Sequence, residues 1–333
     1  MRLPPNKPSL FLVLFLTGCM PMIHSPGEKN ITPRITSNLY YTEDGASLPL
    51  RQWLPKKTEA KAVLIALHGF NDYSNFFDQP GTYFSNQGIA CFAYDQRGFG
   101  AAPKRGLWAG IPAYADDLRH LAKLLKQHYP NQPIYLLGES MGGAVIITAM
   151  DKVPIPEVEG IILAAPALWA RQTMPWYQTS LLWTLAHTVP WLTLTGKGVR
   201  VQASDNIDML KKLGQDPLVI KQTRIEAIYG LTDLMDEAFK GADGLRTNTL
   251  ILYGEKDEII PKKPTYDFLQ RFLSSDVDRK TVALYQQGYH MLLRDLNAAV
   301  IWKDIVAWME QQKPVKLPSG ADHRASAVIK PIS

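Results

Sequence analysis

One short segment of the chain requires a strand, a sharp turn and a helix in immediate succession. The apolar run at residues 134–137 leads into Gly138-Glu139-Ser140-Met141-Gly142, and small apolar residues follow. An apolar run bounded by glycine is typical of a buried strand, and glycines beside a turn allow backbone angles that other residues avoid. The pattern therefore predicts that Ser140 lies at the tip of a tight turn between a strand and a helix.

A serine held on such a turn is available to react, provided that other groups activate it. Its hydroxyl is a weak nucleophile at its ordinary pKa, so a base must accept the proton and an acidic residue must orient that base. Backbone N–H groups must stabilise the negative oxygen that forms during attack. In a parallel sheet these groups follow the ends of other strands, and the acid and the base come after the serine in the chain.

Alternating strand and helix patterns predict an α/β fold with a mostly parallel central sheet and helices on both faces. Short apolar runs predict buried strands at residues 62–67, 89–94, 134–137, 160–164, 249–253 and 281–285. Residues 39–42 and 48–53 predict an opening hairpin, and apolar residues at helical spacing predict helices over 111–125 and 301–309. With 333 residues, of which 46% are hydrophobic, the chain can bury a full core.

The base is predicted to be His290. Of the histidines that follow Ser140, His187 lies in a region without the alternating pattern and His323 lies close to the C-terminus. By contrast, His290 comes just past the predicted strand at 281–285. A position past a strand end, after the serine and the acid, is where the base is expected.

The acid is predicted in the loop that follows the strand at 249–253. This loop reads Gly254-Glu255-Lys256-Asp257-Glu258 and offers several carboxylates. We prefer Asp257, because the chain needs a few residues after the strand to turn back toward a neighbouring histidine. Glu255 and Glu258 remain alternatives at this point, whereas Asp295 is expected to be an ordinary charge near a helix.

The backbone N–H groups of Phe70 and Met141 are the predicted donors to the negative oxygen. Phe70 follows the strand at 62–67 in His68-Gly69-Phe70, and Met141 follows the serine directly. Glycine at position 69 allows the backbone to approach closely. His68 precedes Ser140 in the chain, so it is expected to support this loop rather than to act as the base.

The order Ser140, Asp257, His290 is the order found in α/β-hydrolases. From about residue 40 to residue 309 the chain resembles the monoacylglycerol lipase and lysophospholipase branch of that fold. The segments that carry the resemblance are His68-Gly69-Phe70, Asp95-Gln96-Arg97-Gly98-Phe99-Gly100, Gly138-Glu139-Ser140-Met141-Gly142-Gly143, Gly254-Glu255-Lys256-Asp257 and Tyr289-His290. This branch usually has a histidine before the nucleophile, so Glu139 is a departure from its pattern.

The resemblance implies a serine hydrolase that cleaves carboxylic esters of lipids, of the monoacylglycerol or lysophospholipid type, through an acyl-enzyme. It also implies structural roles for Asp95 and Arg97. Other functions remain open. A peptidase on the same scaffold would usually need carboxylates in an insertion over the site. Acidic residues from Asp205 onward are compatible with this hypothesis. A lipoprotein that only binds a hydrophobic ligand, and acyl transfer to an alcohol instead of water, are further alternatives.

The N-terminus has the features of a bacterial export signal. Arg2 and Lys7 precede an apolar run at residues 10–16, which is too short to span a bilayer. The segment Leu16-Thr17-Gly18-Cys19 resembles the bacterial lipobox, which implies removal of residues 1–18 and a lipid on Cys19. No acidic residue follows directly, unlike the inner-membrane retention signal of enteric bacteria. The expected location is the bacterial cell envelope, lipid-anchored to a membrane, and the outer membrane in a Gram-negative organism. An ordinary signal peptide is the alternative.

Several segments are expected along the mature chain. A flexible tether at 19–34 precedes a hydrolase core at 35–166 and 247–312, a helical cap is inserted at 167–246, and 313–333 form a loose tail. The cap holds Trp169, Trp176, Trp183 and Trp191, half of the eight tryptophans in the chain, and no acidic residue before Asp205. Its apolar residues are expected either to face the substrate or the membrane, or to anchor the cap on the core.

Charge and cysteine content bear on the remaining classes of partner. The net charge is +5, but the basic residues are scattered without interleaved aromatic residues, so no nucleic-acid partner is predicted. With Cys19 lipidated, Cys91 has no disulfide partner and is expected to be buried. The sequence contains neither a glycine-rich phosphate loop nor metal-type spacing of His and Cys, so no cofactor and no metal are predicted.

Overall fold

A computed structural model describes residues 21–151, 153–196, 201–274, 279–310 and 316–330. The export signal and the predicted lipid-attachment residue, Cys19, lie outside the described residues. The strands are β1 (Arg34–Ile35), β2 (Leu39–Tyr41), β3 (Ser47–Trp53), β4 (Ala62–Leu67), β5 (Ile89–Tyr94), β6 (Ile134–Glu139), β7 (Val158–Ala164), β8 (Thr193–Thr195), β9 (Gln222–Arg224), β10 (Asn248–Gly254) and β11 (Lys280–Tyr285). The helices are α1 (Asp78–Asn86), α2 (Ile111–His128), α3 (Met141–Asp151), α4 (Trp176–Thr188), α5 (Ile207–Gln215), α6 (Ile225–Lys240), α7 (Lys262–Leu273), α8 (Ala298–Glu310) and α9 (Ala321–Val328).

The central sheet of the described residues has nine strands in the order β1-β2-β3-β5-β4-β6-β7-β10-β11. The strands from β5 to β11 in this order run parallel, whereas β1, β2 and β3 pair antiparallel at one edge. The predicted α/β fold with a mostly parallel sheet is therefore confirmed. Because parallel strands end on the same side, the loops after β4, β6, β10 and β11 meet at one edge of the sheet.

The sheet is covered on both faces because its central strands are apolar throughout. Every residue of β4 and β5 is buried, including Cys91. Alternate side chains enter different cores. Val63 and Ile65 belong to the cluster that includes α2, α3 and α7, whereas Leu64 and Ala66 belong to the cluster that includes α1 and α8. The uninterrupted apolar runs that predicted these strands follow from burial on both faces.

The cap lies between β7 and β10, and it is not purely helical. It contains α4, α5 and α6 together with an antiparallel sheet of β8 and β9. Helix α6 buries Leu234, Ala238 and Phe239 in the same core cluster as α3. The last helix of the predicted insertion therefore packs on the main domain, and the outer part of the cap comes before residue 225.

Three of the cap tryptophans are exposed. Trp176, Trp183 and Trp191 are 78, 56 and 55% exposed, and Leu181 on the same helix as the first two is also exposed. Trp169 is instead partly buried against the main core. Anchoring on the core therefore explains Trp169, whereas α4 exposes large apolar side chains among polar ones. In the described part of the chain, no helix combines the length and the hydropathy that crossing a membrane requires.

The segment predicted to be a tether lies against the domain over part of its length. The backbone N–H of His24 donates to the carbonyl of Trp108 at 2.8 Å, and that of Ile31 donates to the carbonyl of Glu43 at 2.9 Å. Hydrogen bonds to the body of a domain hold the backbone in place. The expectation of a flexible tether therefore does not hold for residues 24–31.

The C-terminal segment also differs from the expected loose tail. Residues 316–330 contain α9, which packs against β11. Leu317, Ala321, Ala325 and Ile329 are buried. Residues four apart lie on one face of a helix, so this face is what attaches the segment to the domain. The spacing is visible in the sequence, but small and polar residues around it conceal the pattern.

Candidate active site

Ser140 lies between a strand and a helix, on the turn that the sequence predicted. Strand β6 ends at Glu139 and α3 begins at Met141. Ser140 has a φ of 53°, in the left-handed region that residues with a side chain rarely adopt. Its N–H donates to the carbonyl of Ala164 at 3.0 Å, and its carbonyl accepts a hydrogen bond from the N–H of Ala144 at 3.1 Å. The adjacent strand and helix thus hold the turn in this conformation.

Two glycines let this turn, residues 138–142, pack against the backbone around it. A Cβ on Gly138 would overlap the backbone of Gly142 and Gly143. A Cβ on Gly142 would overlap the carbonyl of Leu67 at the end of β4. The close approach of these backbones is the physical reason for glycine at both positions.

Replacing Gly138 with alanine is expected to destabilise the protein. The added methyl group has no space, and overpacking of this kind lowers the free energy of unfolding by about 1–3 kcal/mol. Gly214→Ala is the matched control, because no atom lies within 4 Å of a Cβ added near the end of α5. That variant is expected to match the wild type or to gain up to about 1 kcal/mol. Urea unfolding compares the three proteins, and equal midpoints for Gly138→Ala and wild type would contradict the prediction.

His290 and Asp257 are in direct contact at the carboxyl edge of the sheet. Oδ2 of Asp257 lies 2.8 Å from Nδ1 of His290. Oδ1 of Asp257 accepts hydrogen bonds from the N–H groups of Ile259 and Ile260, at 2.8 and 2.9 Å. Both side chains are buried. The backbone therefore orients Asp257, and Asp257 in turn holds the Nδ1–H of the imidazole, which leaves Nε2 able to accept a proton.

The alternative carboxylates of the same loop have other partners. Glu255 forms ion pairs with Arg324 and with Lys262, the latter at 3.7 Å. Oε2 of Glu258 accepts a hydrogen bond from the N–H of Gln202 at 2.7 Å. Of the three carboxylates that the sequence offered, Asp257 is the one in contact with the histidine.

The surroundings of His290 raise its pKa above the ordinary value for histidine. Burial lowers this pKa, but the charge of Asp257, the hydrogen bond to Asp257 and the charge of Glu139 raise it, and together they outweigh burial and the opposing charge of Arg294. The protonated imidazole is therefore stabilised at this site. Such stabilisation suits a base that must take a proton from a hydroxyl group.

The ester hydrolysis that the sequence predicts, with His290 as its base, is expected to lose activity on the acid side at a higher pH than an unperturbed imidazole would give. The base must be neutral to accept a proton, so kcat/KM falls as the pH drops through the raised pKa of His290. The rate is retained above that pKa until other groups titrate. A pH profile of kcat/KM with a soluble ester checks this. The fall of kcat/KM at low pH is called the acid limb of the profile. An acid limb at or below the ordinary pKa of histidine would contradict the prediction.

The end of β4 lies beside Ser140, the predicted nucleophile. A Cβ placed on Gly69 would be 3.4 Å from the Cβ of Ser140 and 3.9 Å from its Oγ. The peptide group that joins Gly69 to Phe70 is therefore close to the serine. Met141 is the first residue of α3, so its N–H has no acceptor within the helix. Both positions are compatible with oxyanion donors, and the role of these N–H groups stays a prediction.

His68 supports the loop after β4, in agreement with the sequence interpretation. Its Nε2 accepts a hydrogen bond from the N–H of Gln96 at 2.9 Å, and its Nδ1 lies 2.8 Å from the carbonyl oxygen of Gly69. Burial lowers the pKa of His68. The ring is therefore neutral with its proton on Nδ1, and it connects the loop after β4 to the loop after β5.

Asp95 and Arg97, for which the family resemblance implies structural roles, both contact the protein around the loop after β5. The carboxylate of Asp95 accepts a hydrogen bond from the N–H of Ser74 at 3.0 Å. Arg97 forms ion pairs with Asp44 at 2.7 Å and with Asp117 at 2.6 Å. These contacts brace the loop that follows β5.

The remaining candidate histidines lie away from this arrangement. His187 is on α4, with its ring stacked on Trp183 at a centroid distance of 4.3 Å. His323 is exposed on α9. Among the residues that the structure describes, no group of three or more His, Cys, Asp or Glu side chains is arranged to hold a metal ion.

The cap is hydrogen-bonded to the loop that carries the predicted base. The N–H of Met291 donates to the carbonyl of Ala203 at 2.9 Å. Asp295 is buried and accepts hydrogen bonds from the hydroxyl of Ser204 at 2.6 Å and from the N–H of Tyr289 at 2.8 Å. Burial raises the pKa of Asp295 to about 6. Asp295 is therefore not the ordinary helix charge that the sequence suggested, since it joins this loop to the cap.

The cap is also hydrogen-bonded to the loop after β4. The carbonyl of Asn71 accepts a hydrogen bond from the N–H of Ile220 at 2.9 Å, and its Nδ2 donates to Oγ1 of Thr223 at 2.7 Å. The hydroxyl of Tyr73 donates to Asp216 at 2.7 Å. Asn71 has a φ of 66°, which asparagine tolerates better than most residues. Asn71 was not singled out from the sequence, because a loop asparagine does not by itself indicate which distant segment it contacts.

Known proteins similar to this chain include several lipases. Residues 58–297 match a family model described as serine aminopeptidase, S33. The chain is 23% identical over 262 residues to a monoacylglycerol lipase of Mycolicibacterium smegmatis (strain ATCC 700084 / mc(2)155), covering 77% of this chain and 90% of that protein. It is 26% identical over 275 residues to a monoglyceride lipase of Rattus norvegicus, covering 81% and 88%.

Solved structures share the fold described above. A soluble variant of a monoglyceride lipase from Saccharomyces cerevisiae, in complex with a substrate analog, has a TM-score of 0.70 at 19% identity, covering 86% of this chain and 98% of that chain. A monoacylglycerol lipase from Paleococcus ferrophilus has a TM-score of 0.64 at 21% identity, covering 79% and 98%. At these identities the likeness establishes the architecture of the chain.

Proposed function

Because the chain belongs to the serine aminopeptidase S33 family and has an α/β-hydrolase fold, we propose that it cleaves lipid esters through a triad of Ser140, Asp257 and His290. It is a carboxylic ester hydrolase, related to monoacylglycerol lipases. The proposed substrates are of the monoacylglycerol or lysophospholipid type. The observation that carries the proposal is the 2.8 Å contact between Asp257 and His290 at the sheet edge where Ser140 lies on its strained turn.

The chemistry follows from these positions. His290 accepts the proton of Ser140 as Oγ attacks the ester carbonyl, and Asp257 stabilises the imidazolium that forms. The N–H groups of Phe70 and Met141 stabilise the negative oxygen of the tetrahedral intermediate. The intermediate expels the alcohol, which takes the proton from the imidazolium, and the acyl group stays on the serine. Water then attacks with the same base, and the acid is released with the serine regenerated.

A membrane surface is the proposed place of action. Helix α4 exposes Trp176 and Trp183, and no acidic residue occurs from residue 167 to residue 204. Tryptophan favours the boundary between water and lipid, because its ring is apolar and its N–H is polar. The proposal includes attachment of the mature chain to a membrane of the bacterial cell envelope through a lipidated Cys19. An anchor with more than one acyl chain is sufficient for stable attachment.

Replacing Trp176 and Trp183 together with serine is expected to slow hydrolysis of a lipid ester presented in vesicles by about tenfold or more. Burial of each ring in the interface contributes on the order of 1–2 kcal/mol to vesicle binding. Hydrolysis of a soluble short-chain ester is expected to stay unchanged. The control variant replaces Leu54 and Val153, which are exposed elsewhere at 45 and 62%. Equal losses on both substrates would indicate a damaged site and not a lost membrane contact.

An aminopeptidase, which the description of the family names, is the second candidate. Such an enzyme would be expected to keep a cap carboxylate unpaired for the amine of its substrate. Each acidic residue of the cap has at least one partner within the protein, although Oε2 of Glu226 is buried without a hydrogen-bond partner among the described residues. The pairs are Asp205 with Leu296, Asp208 with Lys211, Asp216 with Tyr73, Glu226 with Arg224, Asp233 and Asp236 with Arg171, Glu237 with Lys240, and Asp243 with Arg271. These contacts favour the ester hydrolase.

A substrate panel tests the proposal. The chain without residues 1–19 is assayed on p-nitrophenyl esters with acyl lengths from C2 to C16 and on aminoacyl p-nitroanilides, with Ser140→Ala as the background. We expect serine-dependent ester hydrolysis with a preference for medium or long acyl chains. Activity on the aminoacyl substrates alone would favour the peptidase. If folded Ser140→Ala and the unsubstituted chain gave equal rates on every substrate, catalysis by Ser140 would be excluded. The alternative of a lipoprotein that only binds a hydrophobic ligand would then be favoured.

A further inference from the structure

Glu139, the residue directly before the nucleophile, belongs to a buried ion cluster with Arg294 and Asp72. Nη2 of Arg294 donates to Oε1 of Glu139 at 2.7 Å and lies 2.8 Å from Oδ2 of Asp72. The side chains of Arg294, Glu139 and Asp72 are 9, 3 and 7% exposed. We call these three residues the ion clamp.

Each member of the ion clamp comes from a different segment of the site. Asp72 is in the loop after β4, which carries a predicted oxyanion donor. Glu139 ends β6, and Arg294 belongs to the loop of His290. Glu139 and Arg294 are 155 residues apart in the chain. A single guanidinium therefore connects the loops of the nucleophile, the base and the oxyanion donor.

Stability alone does not explain the ion clamp. Removing two carboxylates and a guanidinium from water costs free energy that their attraction only partly offsets, and apolar side chains of similar volume are often at least as stable. Among the described residues, Oε2 of Glu139, Oδ2 of Asp72 and Nε of Arg294 have no hydrogen-bond partner. Burial raises the pKa of Glu139, and the charge of Arg294 opposes that rise. The retained charges therefore point to a role in the geometry of the site.

We propose that Arg294 and Glu139 are positioning residues of the reaction, a role that rests on the triad proposed above. Arg294 holds the loop of His290 against the end of β6 and thereby sets the distance between the base and the nucleophile. Neither residue touches the reacting atoms in this role. A displacement of about 1 Å in such a site can slow the reaction about 10²-fold.

The ion clamp also contributes to the charge around the base. The charged groups with the largest effects on the pKa of His290 are Asp257, Glu139 and Arg294. The two carboxylates favour the imidazolium form, whereas Arg294 opposes it. Removing the charge of Glu139 is therefore expected to lower the pKa of His290 while its contact with Asp257 remains. The acid limb of kcat/KM then moves to lower pH.

Substitution of Arg294 tests the positioning role in the full-length chain in detergent. With a soluble short-chain ester, Arg294→Met is expected to lower kcat by about 10²-fold and to change KM by less than about threefold. Arg294→Lys keeps the positive charge and one donor to each carboxylate, so it is expected to restore part of the lost kcat. A kcat equal to that of the wild type in folded Arg294→Met overturns the proposal.

Glu139→Gln provides a second test that does not depend on the folding of Arg294→Met, since it retains the shape of the side chain. Its acid limb is expected to move to lower pH, together with a reduced kcat. The matched control is Asp117→Asn, which removes a similarly buried carboxylate from its ion pair with Arg97. A kcat equal to that of the wild type in Glu139→Gln, or the same loss of kcat in the control, overturns the proposal.

The wild-type and Ser140→Ala proteins in the same assays separate this inference from the proposed function. If Ser140→Ala is inactive while Arg294→Met and Glu139→Gln behave as the wild type, the triad stands and the ion clamp has no positioning role. If Ser140→Ala remains active, the triad is wrong and the role of the ion clamp falls with it.

Discussion

Replacing Ser140 with alanine is expected to reduce ester hydrolysis by a factor on the order of 10⁶, to near the background rate, as loss of the nucleophile does in other triad enzymes. No acyl-enzyme can form without the hydroxyl. Alanine keeps the Cβ that lies next to Gly69, so the fold around the turn is expected to persist. The initial rate of p-nitrophenyl ester hydrolysis and labelling by a fluorophosphonate probe measure the effect.

Ser85→Ala is the matched control for this substitution. Ser85 lies in α1, and its hydroxyl donates to the carbonyl of Thr82 on the exposed surface. This variant is expected to keep both activity and labelling. If folded Ser140→Ala retained hydrolysis, or if the probe labelled another residue, the nucleophile would lie elsewhere in the chain.

Replacing Asp257 with asparagine is expected to lower kcat by about 10⁴-fold, as the equivalent change does in a serine protease. Asparagine preserves the shape of the side chain but removes the charge that stabilises the imidazolium. Its amide can also donate to Nδ1 of His290 and so favour the tautomer that cannot accept the serine proton. Circular dichroism establishes the folded state, and kcat on a soluble ester measures the loss.

The two other carboxylates of this loop supply the controls. Glu255→Gln and Glu258→Gln are expected to leave kcat within about threefold of the wild type. Neither residue contacts His290, since Glu255 pairs with Lys262 and Arg324 and Glu258 accepts a hydrogen bond from the N–H of Gln202. If one of these variants lost activity while Asp257→Asn kept it, Asp257 would not be the acid of the site.

Much of the fold was predictable because it depends on local patterns. The runs at 62–67 and 89–94 coincide with β4 and β5, since strands covered on both faces must be apolar along their whole length. The turn at Ser140 was predictable because glycines on both sides permit it. The C-terminal helix α9 was missed, because small residues such as Ala321 and Ala325 carry little apolar signal although they are buried.

The sequence by itself determined the strand-turn-helix at Ser140, the parallel sheet and the order in which the proposed nucleophile, acid and base follow along the chain. These features depend on backbone angles and apolar runs within a few residues of one another. Only the tertiary structure decided that Asp257 contacts His290, that Trp176 faces outward and that Arg294 reaches Glu139. Such contacts join segments up to 155 residues apart, and they depend on how the loops meet once the sheet has formed.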